Sequence, residues 1–220
     1  MTTDRLTAAR FCFVCLILLL APVAARGQIT APRESAQIVL GPLSLYPSLQ
    51  VVDAGIDDNI FNDSDDPKED VTLTVESHVL AVLRLGLNEL LFTTGSDYVW
   101  FKEHASERSS NATYAMRFNL SASRLKPYVG AASTRTRARS GAEIDTRARR
   151  TERLAVAGTS LSLTERTAVT ASAQRDVSLF EDGERFRGVE LDDRLNSTGW
   201  TYSGGVRYSV TPFTTLSVNG

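Results

Sequence analysis

The sequence predicts an all-β protein whose antiparallel strands run up and down as a transmembrane β-barrel. Apolar and polar side chains alternate strictly over long segments, most clearly over Asn111–Ala122, and such alternation marks the two faces of a strand. The lengths of these segments are close to the 9–11 residues that cross a bilayer as a tilted strand. Long and short connections also alternate, and aromatic residues gather at both ends of the strands. Outer-membrane barrels combine these three features.

Residues 1–27 have the composition of a secretory signal peptide. Two arginines precede an apolar run, Phe11–Ala21, that is too short to span a bilayer as a helix, and small residues follow as far as Gly27. Both cysteines, Cys12 and Cys15, lie inside this segment. We therefore expect an exported mature chain without disulfides or cysteine metal ligands.

The rest of the chain divides into a polar periplasmic lead, residues 28–42, and one barrel domain, residues 43–220. We expect the barrel in the cell outer membrane of a Gram-negative envelope with its N-terminus in the periplasm. Its partners would then be outer-membrane lipid and the outer-membrane assembly machinery. Basic residues are interleaved with acids rather than massed, so the charge pattern does not predict a nucleic-acid partner.

Alternation predicts about nine strands, separated by polar loops and tight turns. A change of parity near Gly158 predicts a β-bulge in the seventh segment. Pro47 suits the beginning of a strand or a sheet edge. In order, the predicted segments are 43–56, 71–85, 90–100, 111–122, 127–139, 149–163, 167–177, 195–210 and 216 onward.

A secreted β-sandwich is the alternative fold, because alternation would then separate a core face from a wet face. Strand length, loop asymmetry and paired aromatic belts favour the barrel. A sheet in lipid must close, since open edges leave backbone groups unpaired. Bacterial single-chain barrels use even strand numbers, so a count of about nine with a short last segment indicates the N-terminal part of a longer barrel.

Aromatic residues are expected to form a girdle at each membrane surface, where their rings are favoured. One group lies near the long loops and the other near the short turns. The predicted girdle residues are Tyr46, Phe92, Tyr98, Trp100, Tyr114, Tyr128, Trp200, Tyr202 and Tyr208.

Charged residues on the polar parity are expected to line the pore. A ladder of arginines along the wall would favour anionic solutes. Alternatively, these arginines pair with lumenal and loop acids and only fill the interior. The predicted pore-lining residues are Glu76, His78, Asp97, Arg117, Arg135, Arg137, Arg139 and Arg207.

Short segments of the chain resemble a family of bacterial outer-membrane β-barrel porins. The resemblance implies an outer-membrane barrel and, more loosely, a pore. Members of that group are often longer, in agreement with a truncated chain. The segments are Gly41–Leu49, Asp57–Phe61, Glu143–Arg150, Leu195-Asn196 and Thr211–Leu216.

The predicted function is passive passage of small polar or anionic solutes, without a cofactor or metal. The alternative is a non-conducting structural barrel or one associated with envelope polysaccharide export. Catalysis is not expected, because His78 has no suitably placed nucleophile and His104 lies in a loop. The acidic loop Asp57–Asp70 has Asp63 where a calcium loop of the EF-hand type requires Gly, so we expect a solvated loop or one folded into the lumen.

Overall fold

A computed structural model describes residues 32–63, 65–137, 147–211 and 213–220. The predicted signal peptide and residues 28–31 of the polar lead lie outside the described residues, and the rest of the lead begins with a short 3-10 turn at Arg33–Ser35. Residues Ser35–Gly220 form one compact unit.

The all-β, antiparallel, up-and-down prediction is confirmed. One sheet contains ten strands in chain order, and each strand pairs antiparallel with its neighbours. Nine correspond to the predicted segments, and the short β1 is additional. The strands of the sheet are β1 (Ile38–Leu40), β2 (Leu43–Asp57), β3 (Asp70–Leu85), β4 (Asn88–Phe101), β5 (Ser109–Asn119), β6 (Leu125–Thr136), β7 (Arg150–Ser162), β8 (Thr167–Phe180), β11 (Ser197–Thr211) and β12 (Thr214–Asn219).

The connection between β8 and β11 has a structure of its own. It contains a two-stranded hairpin, β9 (Arg185–Phe186) with β10 (Val189–Glu190), and a short helix, α1 (Leu191–Leu195). Ala148, Phe180 and Leu191 form a small buried apolar cluster here. No helix in the described part of the chain is long and apolar enough to cross a membrane.

These ten strands do not close into a barrel, because the sheet is open, with β1 at one edge and β12 at the other. The prediction was of an incomplete barrel that closes with further strands, and that closure stays a prediction. The two edge strands are three and six residues long. Each could pair over only a fraction of an interior strand such as β2, which has fifteen residues.

The ends of the strands are staggered across the sheet. A row of directly paired residues crosses the sheet from Arg84 on β3, through Gly158 on β7, to Ser203 on β11. These residues lie one before the end of β3, four before the end of β7 and eight before the end of β11. Each strand therefore steps along by about 1.2 residues, or about 4 Å for a strand spacing of about 4.8 Å, a tilt of about 40°. Closed barrels need a tilt of this size. The row consists of Arg84, Glu89, Asn119, Tyr128, Gly158, Ser172 and Ser203.

The predicted bulge near Gly158 is wrong, because β7 keeps its register with both neighbours. Leu154 and Val156 lie on one face of β7 and Leu161 on the other, so the change of parity reflects apolar residues on both faces. The register shifts of the sheet lie between Val51 and Asp53 in β2 and between Ser209 and Thr211 in β11.

Register assigns every interior strand residue to one of two faces. The polar face contains the row through Arg117, which is Val82, Leu91, Arg117, Gly130, Val156, Gln174 and Thr201. The apolar face contains the row through Met116, which is Ala81, Phe92, Met116, Ala131, Ala155, Arg175 and Trp200.

The polar face is the more buried of the two faces, and the apolar face is the more exposed. Most side chains of the polar face from β3 to β8 are at least partly buried, as at Val82 and Phe101, which are 0% and 1% exposed. Side chains of the apolar face are open, as at Leu49 and Tyr202, which are 74% and 72% exposed. A soluble sandwich would bury its apolar face instead.

Gly158 leaves space on β7 for an aromatic ring from the neighbouring strand. It lies directly opposite Tyr128 on the polar face. A Cβ at this position would lie 2.5 Å from the Tyr128 Oη and 2.9 Å from the Ala171 carbonyl oxygen. Glycine is therefore required here by space, and not by backbone conformation.

Gly158→Ala is expected to lower the free energy of unfolding by about 1–3 kcal/mol, because the added methyl must displace the ring and the neighbouring strand. Urea unfolding of the refolded protein measures the effect. Gly199→Ala is the control, since its Cβ would meet nothing within 4 Å, and it should change the free energy by less than about 0.5 kcal/mol. Equal losses in both variants would contradict the proposed contact.

Candidate functional site

Two carboxylates face each other on the polar face near the long loops. Glu76 on β3 is the direct cross-strand partner of Asp97 on β4. The Gln50 Nε2 donates to the Glu76 Oε2 at 3.0 Å, and the Asn111 Nδ2 donates to the Asp97 Oδ2 at 2.6 Å. Both acids are thus held by neutral amides, and within the described ranges neither forms an ion pair with a basic side chain.

Further acids continue this level onto β7 and β8. Glu152 pairs with Arg150, with 2.6 Å between its Oε1 and the Arg150 Nε. The Asp176 carboxylate accepts from the Gln174 Nε2 at 2.9 and 3.0 Å. A cleft of about 460 Å³ lies here, lined mainly by the polar-face residues Ala132, Thr134, Glu152, Leu154, Asp176, Ser178, Ser197 and Gly199. The cleft places these carboxylates in a recess of the polar face.

Basic side chains dominate the opposite end of the polar face, beside the short turns. Arg84 pairs with Glu89 at 3.5 Å and donates to the Ser44 Oγ at 2.9 Å. Lys126 and Arg207 occupy the same end of β6 and β11. Apart from Arg150 and Glu89, which pair with Glu152 and Arg84, the polar face therefore separates its charge, with carboxylates toward the long loops and cations toward the short turns.

Arg117 lies between these two zones and packs on an aromatic ring. Its Cζ is 3.8 Å from the centre of the Tyr128 ring, within the range of a cation–π contact. Its Nε also donates to the Asn119 Oδ1 at 2.9 Å. These contacts, together with the Gly158 opposite Tyr128, fix the guanidinium above the polar face.

The predicted arginine ladder does not lie on one face. Arg135 is the direct partner of Ala112, so it shares the apolar face with Tyr114 and lies opposite to Arg117. The turn at Ser123-Arg124 shifts the parity of β6 relative to β5, which the pattern of β6 alone cannot reveal. Beyond Lys126 and Tyr128, the polar face of β6 carries small side chains.

Arg137 lies just beyond β6 and is tied to the neighbouring loops. Its Nε donates to the Arg147 carbonyl at 3.2 Å, its Nη1 donates to the carbonyl oxygens of Ser106 and Arg108, and its Nη2 lies 3.8 Å from the Glu107 Oε1. This arginine thus holds loops together, as the alternative interpretation expected. Arg139 lies outside the described residues.

His78 occupies the polar face opposite Gly95 and is exposed, and Arg207 is exposed opposite Ala168. Together with Glu76, Asp97 and Arg117, they belong to the predicted set that shares this face. No group of three or more metal-binding side chains is found within the described residues.

The aromatic residues predicted as girdles are divided between the faces. Tyr46 and Tyr128 lie on the polar face, opposite Leu80 and Asn119, and not on the face that carries the rest of the set. Parity within β6 alone misassigned Tyr128, as it did Arg135. The others share the apolar face, and they are Phe92, Tyr98, Trp100, Tyr114, Trp200, Tyr202 and Tyr208.

At the long-loop end, aromatic side chains of the predicted girdle make close ring contacts. Trp200 and Tyr202 stack with ring centres 6.1 Å apart. The Arg108 Cζ lies 5.3 Å from the centre of the Trp100 ring. At the short-turn end, Phe92 and Tyr208 are the members of the predicted set that remain on this face, so the two belts are unequal.

Asp70 forms a buried clasp at the loop end, which the sequence pattern did not single out. Its carboxylate accepts from the backbone N–H groups of Val71, Lys102, Glu103 and His104 at 2.7 to 3.1 Å, and lies 2.9 Å from the His104 Nδ1. Burial of the carboxyl raises its pKa, but the hydrogen bonds from His104, Glu103 and Val71 outweigh that effect. They hold the pKa of Asp70 well below its ordinary value. The clasp fixes the β4–β5 loop against β3.

These features define a class of protein, an all-β chain with a single up-and-down sheet that is sheltered on its polar face and open on its apolar face. The chain matches no protein-family model, no curated protein sequence and no solved structure.

Asp70→Asn is expected to speed amide hydrogen exchange at Lys102, Glu103 and His104 by at least about tenfold at pH 7, because charged hydrogen bonds are the strong ones. Since the pKa is lowered in the folded state, the stabilisation is present above the unfolded value of about 4 and is lost as the pH falls below it. Asp66→Asn, on the exposed β2–β3 loop, should leave these amides unchanged. Equal protection in Asp70→Asn and the parent would contradict the clasp.

Proposed function

We propose that this sheet is part of the wall of an outer-membrane β-barrel, with its apolar face against lipid and its polar face lining a hydrated lumen. The barrel acts as a porin-like passive channel for small polar solutes, and the N-terminus lies on the periplasmic side. The observation that carries the proposal is the exposure of the apolar face beside a sheltered, charged polar face.

In water, that arrangement is costly. Large side chains such as Leu49, Met116, Trp200 and Tyr202 are all more than half exposed on one continuous face. Monomeric soluble proteins rarely expose apolar patches larger than a few hundred Å². A bilayer removes the cost, since acyl chains take the place of water against these side chains.

The stagger of the strands supports the same interpretation. A tilt of about 40° is the geometry that strands adopt in membrane barrels. In strands with this tilt, the long loops leave the sheet on one side of the bilayer and the short turns on the other.

A barrel wall also requires that the two edge strands of this sheet be paired. The backbone groups at the outer edges of β1 and β12 must be paired within the hydrocarbon layer, because each unpaired group there costs several kcal/mol. Strands beyond those of the described sheet are therefore part of the proposed wall.

The order of charge defines the lumen chemistry. Glu76 and Asp97 lie opposite each other, an arrangement that is destabilising in itself, at the end where the long loops emerge. Arg117 and Arg207 lie nearer the short turns. Because the arginine ladder is split between faces, strong anion selectivity is no longer expected. A solute meets a carboxylate zone and then a basic zone.

Tryptophan quenching tests which face meets lipid. In a Trp100→Phe background, Trp200 should be quenched strongly by lipid with brominated acyl chains and weakly by aqueous acrylamide. The matched control is Trp100→Phe/Trp200→Phe/Thr201→Trp, which moves the indole to the next residue on the polar face of the same strand, and should show the reverse. Equal quenching of both proteins by brominated lipid would contradict the assignment of faces.

Conductance in planar bilayers tests the channel itself. Glu76→Gln/Asp97→Asn should shift the reversal potential in a salt gradient toward anion preference, because rings of acidic side chains favour cations. Arg117→Gln/Arg207→Gln is the matched control and should shift it the other way. An inserted protein that conducts nothing would contradict the channel and favour a non-conducting structural or export-associated barrel.

A further inference from the structure

We propose that Arg135, Arg153 and Arg175, on the apolar face, bind the phosphate groups of membrane-lipid headgroups. This inference rests on the proposed function, since it places that face in the membrane. It assigns the three arginines a ligand of stated chemistry at the long-loop side of the sheet.

The register brings the three arginines together on adjacent strands. Arg135 on β6 is opposite Thr151, and Arg153 lies two residues further along β7 on the same face. Arg153 is opposite Val177, and Arg175 lies two residues from Val177 on β8. Each arginine is thus the diagonal neighbour of the next, a separation of about 7–8 Å between Cα positions.

The diagonal follows the stagger of the sheet. Measured from the row through Tyr128, Gly158 and Ser172, the arginines lie seven, five and three residues toward the long loops. Across the sheet the strand ends step in the same direction by about 1.2 residues per strand, against two for the arginines. Strand tilt therefore brings the diagonal closer to the plane of a bilayer, with Arg135 one, Arg153 three and Arg175 five residues from the long-loop end of its strand.

Aromatic residues mark the depth of this row. Trp200 is the direct partner of Arg175, and the Arg175 Cζ lies 6.0 Å from the centre of the Trp200 ring. Arg135 is the penultimate residue of β6, one residue before the long connection. The row consequently lies at the level expected for a membrane surface, where aromatic rings are enriched and where arginine on a lipid-facing strand costs least.

The row is positively charged, and no acid among the described residues neutralises it. All three side chains are exposed, and no ion pair within 4 Å joins any of them to an acid in the described part of the chain. Interior strands present no Asp or Glu on the apolar face at positions that the register assigns. The arginines are the only charged residues among those positions.

Phosphate is the ligand that this arrangement fits. A guanidinium presents a planar fork of donors that binds a phosphate through two hydrogen bonds. Three forks in one row, beside exposed apolar side chains, can take the headgroup phosphates while the acyl chains pack below. Charge complementarity therefore favours an anionic phospholipid over a zwitterionic one.

Fluorescence of Trp200 provides a direct readout, because Arg175 packs over its ring. The Trp100→Phe protein is refolded in neutral detergent micelles and titrated with short-chain phosphatidic acid, with short-chain phosphatidylcholine and with inorganic phosphate. Phosphatidic acid should give a saturable change at a concentration at least about tenfold lower than either of the others. Arg135→Gln/Arg153→Gln/Arg175→Gln should remove that preference.

The matched control removes the same charge from the polar face, as Arg117→Gln/Lys126→Gln/Arg207→Gln, and should bind phosphatidic acid like the parent. Equal binding by the parent and the apolar-face variant, or saturation by inorganic phosphate alone at the same concentration, would overturn the lipid site. Protease protection in vesicles reports insertion separately. A protein that fails to insert overturns the proposed function, whereas one that inserts without preferring phosphatidic acid overturns this inference only.

Discussion

The continuous register of backbone hydrogen bonds from β3 to β11 determines most other features of the described sheet. Within the described residues no second sheet or layer of helices covers it, so tertiary packing decides the placement of few side chains beyond the cluster at Phe180 and Leu191. Once Arg117 is opposite Gly130 and Gly130 is opposite Val156, the composition of both faces is settled. The separation of carboxylates from cations and the exposure of the aromatic residues both follow from that pairing.

Fold class and strand positions could be predicted because period-two alternation is a local property. Alternation over Asn111–Ala122, for example, identifies β5 from its own residues. The relation between neighbouring strands is not local, since a change of one residue in a turn reverses every facing. The turn at Ser123-Arg124 placed Arg135 and Tyr128 on faces opposite to those expected from parity. The edge strand β1 could not be predicted either, because three residues are too few to show alternation.

The site was partly predictable for the same reason. Glu76 and Asp97 were expected on the polar face, and their strands do place them there as partners. The Asp70 clasp could not be found from sequence, because most of its donors are backbone N–H groups more than 30 residues away, and backbone N–H groups carry no residue-specific signal. The space required by the Tyr128 ring likewise explains Gly158 only after β6 and β7 are paired.

The up-and-down topology has a consequence for how such a protein is assembled. Each strand of the sheet pairs only with its neighbours in sequence, so the separation along the chain between contacting residues is small, and low contact order favours fast folding. Hairpins can therefore be added one after another to a growing edge. An edge that accepts the next hairpin is also able to accept a foreign strand, so the order and place of synthesis matter as much as the final stability.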